Sequence, residues 1–297
     1  MSIKIFSLFI VMALSYVVLV KAQDVTTNAM TNSSSNASGV QQQLEGFNLN
    51  GYDNTGKKTW EVNGDKADIS EDKIKITNVD ANFYGKENGN LTSKNGTIDK
   101  VSGQVHLQDD VVITSDRGTK MTTDSLDWNR NKDLVTTQDP VKITDEQGVV
   151  TGKGMTAHPD LKNASINKDV KAVINTASQA KSNLNSQKIT ITCDGAMKMD
   201  QLNFHATFTD NVVALEEATD RQLYADKMDV WFDDKNKKIK KVVCKGHVKA
   251  VQGNSASYAE EMVYTGSDEL LIMKGRPKIV FDTADAKGEG MFQKIGK

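Results

Sequence analysis

Hydrophobic and polar residues alternate with a two-residue period along most of this chain. The clearest stretch is Leu223 to Ala250, where Met228, Val230 and Phe232 alternate with Asp229, Trp231 and Asp233. Successive side chains of a strand point to opposite faces, so this pattern predicts a strand with one buried face. The polar run Asp233 to Lys238 predicts a turn. Ile239, Val242 and Cys244 then open a return strand, which Gly246 is expected to interrupt. The design recurs. Ser257 to Ile279 carries Ala259-Glu260 where the first stretch has Ala225-Asp226, and Met262 where it has Met228. Thr122 to Ile143 places Leu126 and Trp128 in the positions of Met228 and Val230. One strand-turn-strand design used repeatedly predicts a repetitive antiparallel β-architecture.

The rest of the chain follows the same rhythm. Phe47 to Ile69 reads as a hairpin turning at Asp53 to Lys57, and Ile74, Ile76, Val79, Ala81 and Phe83 continue it. Asn88-Gly89 and Asn95-Gly96 are expected to be turns. Val101 to Ile113, Val149 to Met155 and Leu161 to Ile174 add short strands. Thr176 to Lys188 carries Leu184 as its one large apolar residue and marks an internal boundary, although its Ala, Ser and Gln also suit a short helix. Ile189, Ile191, Met197, Met199, Leu202, Phe204 and Phe208 resume the strand period, which ends at Phe281. No stretch carries the pattern of a helix of usual length. The chain therefore reads as all-β, and the pattern fits a barrel and an open jelly roll equally.

The N-terminus changes the picture of where this body works. Lys4 precedes the apolar run Ile5 to Val20, and Val20-Lys21-Ala22 fits the small-residue rule for signal cleavage. A cleaved signal is the favoured reading and a retained membrane anchor the alternative, the run being short against the roughly 20 residues of a relaxed span. Gln23 to Leu44 is a polar tether. Net charge is -2, which leaves no basic footprint for nucleic acid. Cys193 and Cys244 lie in matching surroundings, Cys193-Asp-Gly195 and Cys244-Lys-Gly246. In an oxidising compartment they fit either a disulfide or two small buried hydrophobes.

Candidate chemistry is sparse. His106, His158, His205 and His247 stand far from metal-ligand spacing, so no metal is expected. Gly148 to Gly154 approaches a phosphate-binding loop but ends in Gly where Ser or Thr must bind magnesium. The pairs Asp109-Asp110 and Asp233-Asp234 would point to opposite strand faces and make poor catalytic dyads. No catalytic residue and no cofactor are predicted, and the chain is not expected to be an enzyme. The apolar strand faces remain: Leu126, Trp128, Ile143, Phe204, Met228, Val230, Phe232, Met262, Tyr264, Ile272 and Phe281. They fit a sandwich core or the lining of a groove, and the methionines favour a groove because flexible thioethers adapt to varied chains.

Particular motifs carry a family resemblance. Gly51-Tyr52-Asp53, Gly56-Lys57 and Trp60-Glu61-Val62, the strand Asp124 to Trp128, and Gly152-Lys153-Gly154-Met155 resemble LptC, a periplasmic lipopolysaccharide-transport family. The stretch Ile189 to Phe281, with Tyr224-Ala225-Asp226 and Tyr258-Ala259-Glu260, is similar to the OstA/LptA-type domain. The resemblance implies two open, bent β-jelly-rolls (β-tacos) of repeated antiparallel strands, stacked in one chain. It divides the chain into a signal or anchor (1–22), a tether (23–44), an LptC-like unit (45–175), a linker (176–188), an LptA/OstA-like unit (189–283) and a tail (284–297). It implies a periplasmic carrier, with attachment to the inner membrane through the N-terminal segment as an open alternative. The implied cargo is lipopolysaccharide, its acyl chains held between the sheets. The implied partners are an inner-membrane lipopolysaccharide-export ABC transporter and LptA-like or outer-membrane LptD-like jelly rolls joined edge to edge. A β-edge adaptor for envelope assembly that binds no lipid is the competing expectation.

Overall fold

The computed structural model describes residues 42–84, 88–116, 118–129, 132, 134–145, 148–157, 163–176, 187–200, 203–233, 239–267 and 270–281. The expected leader, most of the tether, the centre of the linker, Leu202, His158 and the tail lie outside the described residues. Within them the protein is all-β, without helices, and every register is antiparallel. The strands are β1 (Gln42–Tyr52), β2 (Lys58–Ile69), β3 (Lys73–Phe83), β4 (Gly89–Asp99), β5 (Val105–Ser115), β6 (Lys120–Asn129), β7 (Leu134–Asp145), β8 (Gly148–Ala157) and β9 (Asn163–Thr176). They continue as β10 (Gln187–Cys193), β11 (Met197–Asp200), β12 (His205–Glu216), β13 (Arg221–Phe232), β14 (Ile239–Gln252), β15 (Ser255–Thr265), β16 (Leu270–Lys274) and β17 (Lys278–Val280). Strand β1 thus starts inside the stretch expected to be tether.

Two compact units are present, one of described residues 42–139 with 156–157, the other of 140–155 with 163–281. In the N-terminal unit β1 to β6 form a meander in which each strand pairs with the next. Ser125 Oγ donates to Asp139 Oδ2 at 2.5 Å and ties the first half of β7 to β6. In the C-terminal unit β9 pairs with β10 and then β11, and both pair on their other side with β12. Strands β12 to β15 continue the meander, and the far side of β15 takes β16 and then β17.

The strands are longer than their alternation suggests, because many are bulged mid-length. Gly246 does not interrupt the return strand. It sits inside β14 at φ 75°, followed by His247 at φ 45°, and these two residues stand opposite the one residue Glu260 of β15. Two residues against one is a β-bulge, which bends the strand and resets its side-chain parity. Asp210 and Asn211 do the same in β12, against Asp226 of β13. In the N-terminal unit Asn78 of β3 and Asp109-Asp110 of β5 are left-handed. Asn95-Gly96, expected as a turn, lies inside β4, where a Cβ on Gly96 would stand 3.0 Å from Val79 Cγ2.

In the C-terminal unit the bends align. Asp169 of β9 donates its N–H to Asp194 O at 3.2 Å, and Asp194 donates to Asp210 O at 2.9 Å. Gly246 lies against Asp226, His247 Nδ1 is 2.8 Å from Asp226 Oδ2, and Gly275 lies against Glu260. A seam of bulges thus crosses the unit from β9 to the break between β16 and β17. Residues on both sides of the seam, such as Phe208 with Val212 and Cys244 with Val248, share one buried cluster. The strands that cross the seam are bent at it, and the residues of both arms belong to one core. Each large apolar side chain buried there contributes roughly 1.5–3 kcal/mol.

Candidate functional site

On one arm of the C-terminal unit the registers place large side chains in a single file. The file runs from Ile166 of β9 through Met197, Phe208, Met228, Cys244 and Met262 to Met273 of β16. It lies perpendicular to the strands and on the inner face. All but Met273 are buried, and Met273 packs against the cluster at the open edge. Beside it runs a second file from Ala206 through Val230, Val242 and Tyr264 to Leu271. Across the seam the residues are smaller. Val212 faces Ala225, Val248 faces Ala259, and Ala214, Leu223 and Ala250 continue one another.

These files gather some of the residues predicted from sequence and leave others out. Met228, Val230 and Met262 lie in the buried cluster, with Phe232 and Ile143 packed on it. Tyr264 is half-buried in the second file. Phe204 is half-buried in the turn before β12, at φ 48°. Leu126 and Trp128 are buried in the other unit, paired with Leu107 and Val105. Two predicted lining residues stand elsewhere. Ile272 pairs with Val263, on the face opposite Met262, and is 42% exposed; the register puts Met273 inward in its place. Phe281 follows the last strand and is 59% exposed. Ile166, Phe208, Val242 and Val248 are among the inner residues left out of that set; the residue opposite them in register marks them, which a single strand's alternation does not contain.

The cysteines form no disulfide. Both thiols are free and buried. Cys193 is paired with Val170 and Cys244 with Met228 and Met262, in strands separated by β12 and β13. Burial pushes the Cys244 thiol up to about 12, with the Asp229 charge adding to the effect. It is an inert apolar member of the file. Gly148 to Gly154 is part of β8, not a loop that opens a helix.

The outer face of β12 to β14 carries the polar counterpart. Asp229, only 7% exposed, accepts from Thr207 Oγ1 at 2.7 Å and pairs with Lys227 Nζ at 2.9 Å and His205 Nε2 at 3.1 Å. Burial alone would raise its carboxyl, but the bonds from Thr207, Lys227 and His205 outweigh it and hold the group below the usual carboxylate range. Trp231 stands on this same face. It stacks on His205 with ring centroids 4.5 Å apart and lies beneath Lys241 Nζ at 5.3 Å. The outward tryptophan is thus covered by its cross-strand neighbours.

The open edge of the C-terminal unit is apolar. Leu270, Leu271, Ile272, Ile279 and Val280 of β16 and β17 are all exposed. These strands pair on one side with β15. An edge of this kind offers unpaired backbone groups and apolar side chains to another strand. At the other end of the chain β1 pairs with β2, and outward Asn48 donates to Glu61 at 2.6 Å and to Asn63 at 2.5 Å. No helix among the described residues is long and apolar enough to cross a membrane.

Residues 7–175 match the family model described as lipopolysaccharide-assembly, LptC-related, and residues 190–296 match the LptA/(LptD N-terminal domain) LPS transport protein model. No curated protein matches the chain.

Proposed function

The chain belongs to the lipopolysaccharide-assembly, LptC-related family, with an LptA/LptD-N-type unit following in tandem, and on that footing we propose that it accepts lipopolysaccharide from an inner-membrane ABC transporter and hands it outward. Lipopolysaccharide transport in the periplasm is the function of these families. The N-terminal unit is the receiving stage and the C-terminal unit the donating stage. Acyl chains lie along the inner files, and the next jelly roll adds to the open edge of β16 and β17. The protein works as a carrier without a reaction of its own, and the transporter supplies the energy.

The file from Ile166 to Met273 carries this reading. It is apolar along its whole length and reaches the open edge, so a chain lying along it has an exit. Each methylene moved from water onto such a surface contributes about 0.8 kcal/mol before ordering costs. The test is a photoreactive residue at Phe232 or Met262, with outward Lys245 as control. We expect lipopolysaccharide adducts at the inward positions and none at Lys245. No adduct at any inward position removes the groove. Crosslinks confined to β16 and β17, to protein alone, would instead indicate a β-edge adaptor.

A further inference from the structure

Charge alternates along the seam toward the open edge of the C-terminal unit. Strand β14 crosses the seam as Lys245-Gly246-His247-Val248-Lys249, and the break between β16 and β17 as Lys274-Gly275-Arg276-Pro277-Lys278. In each a left-handed glycine precedes a left-handed donor residue, Gly246 with His247 and Gly275 with Arg276. The break holds one extra residue, because Lys274 stands opposite Glu261 and Lys278 opposite Tyr258. Between these two basic crossings lies the acidic crossing of β15, Glu260-Glu261. Glu261 pairs with Lys274 Nζ at 2.9 Å on one side and Lys245 Nζ at 3.8 Å on the other. Other bends are joined in the same way. His247 Nδ1 lies 2.8 Å from Asp226 Oδ2, and Asn211 Nδ2 donates to Asp194 Oδ2 at 2.7 Å. In the N-terminal unit Lys94 Nζ pairs with Asp110 Oδ2 at 2.5 Å. A carboxylate on one strand and a donor on its neighbour thus hold adjacent bends in step.

The last crossing has a neighbour on one side only. Arg276 and Lys278 are exposed and pair with no carboxylate among the described residues. On the reading that the next jelly roll adds to this edge, we infer that the edge selects a strand carrying a carboxylate beside a bend of its own, and that Arg276 fixes its register. Apolar contacts along β16 and β17 set which face turns inward, yet a slip of two residues returns the same face. A carboxylate that must meet Arg276 at the bend allows one register. Opposite charges facing each other across strands stabilise the pair, and like charges oppose it. Strand β1 of this chain has the required composition. Leu44 lies on one side of left-handed Gly46, Phe47 and Leu49 on the other, and exposed Glu45 stands beside the bend.

A fluorescent peptide of residues 42–52 is therefore the probe, its binding to the full chain read by anisotropy. Glu45→Lys in the peptide, or Arg276→Glu in the chain, should weaken binding at least about threefold, the scale of an exposed ion pair with its reversal. The two changes together should restore it. Leu270→Lys with Ile272→Lys should abolish binding and so place the peptide at the edge. Arg276 is exposed, and an unchanged lipid adduct at Phe232 in Arg276→Glu would confirm an intact fold. Three results overturn the inference: equal affinity of both peptides for both chains, no binding of the unaltered peptide to the unaltered chain, or binding that survives the two lysines. Capture of an LptA-type partner separates the inference from the edge reading. Capture lost with the two lysines but unmoved by Arg276→Glu overturns the selection by charge and leaves the edge in place. Capture that survives the two lysines removes the edge reading itself.

Discussion

Asp229 shows how a single residue on the polar face supports the apolar one. It lies between Met228 and Val230, both buried on the inner face, and is itself almost covered on the outer. Its carboxylate is held by Thr207, Lys227 and His205. Asp229→Ala should cost about 1–3 kcal/mol, because it removes the charged acceptor that Thr207, Lys227 and His205 share. The pH dependence follows from its lowered folded value. Above the unfolded value of about 3.9 the ionised group contributes its full stability, and the contribution is lost as pH falls through the lower folded value. Urea midpoints of wild type and Asp229→Asn should therefore differ by a constant amount above about pH 5 and converge in strong acid. An equal gap at all pH values would show that the charge is not what matters. Trp231 is the companion case. From alternation alone a large outward aromatic looks misplaced, and the stack on His205 and the cover of Lys241 give it a setting.

At the scale of the element the bulge decides the fold. Gly246 is left-handed, and a Cβ there would stand 2.1 Å from Asp226 Oδ2. Gly246→Ala should destabilise the C-terminal unit by about 1–3 kcal/mol, read by chemical denaturation. A cost near zero would mean the seam tolerates an ordinary residue. The seam also gives the Tyr-Ala-Asp and Tyr-Ala-Glu motifs a physical role. Ala225 and Ala259 face inward at the seam, and Asp226 and Glu260 stand opposite the extra residues of the preceding strand. Strand identity and the inward parity of Met228, Val230 and Met262 were legible in the sequence, because a two-residue period needs no tertiary knowledge. Strand length was not, because a bulge breaks the period in mid-strand and imitates a turn, as Gly246 does, and because Asn95-Gly96 spells a turn dipeptide yet pairs regularly with Gln108 and Leu107. Nor was the place of Ile272, since one residue of register moves a side chain to the other face.

At the scale of the whole molecule the apolar edge is the feature on which the proposed pairing with partners turns. Soluble proteins commonly protect edge strands with lysine, proline or short length. Strand β16 instead reads Leu-Leu-Ile-Met before Lys274, apolar on both faces. A strand with this composition matches one that another element covers. Leu270→Lys with Ile272→Lys, both on the face opposite the inner files, should abolish capture of an LptA-type partner in a pull-down while leaving the lipid adduct at Phe232 intact. Loss of both would assign the edge to folding, and loss of neither would place the partner elsewhere. The two families meet in one chain, so the LptC-related and LptA/LptD-N-type units are expressed together and in equal number.

The sequential pairing of strands has a consequence for how such a protein comes into being. Because the registered strands pair with the next strand along the chain or the next but one, loop closure costs little at these steps, and a hairpin formed at one of them can recruit the next. Stability then resembles a sum of nearest-neighbour terms, weakest where a strand has one neighbour. The C-terminal strands β16 and β17 are such a place, and the proposed strand addition there would continue between molecules the same zipping that builds each unit.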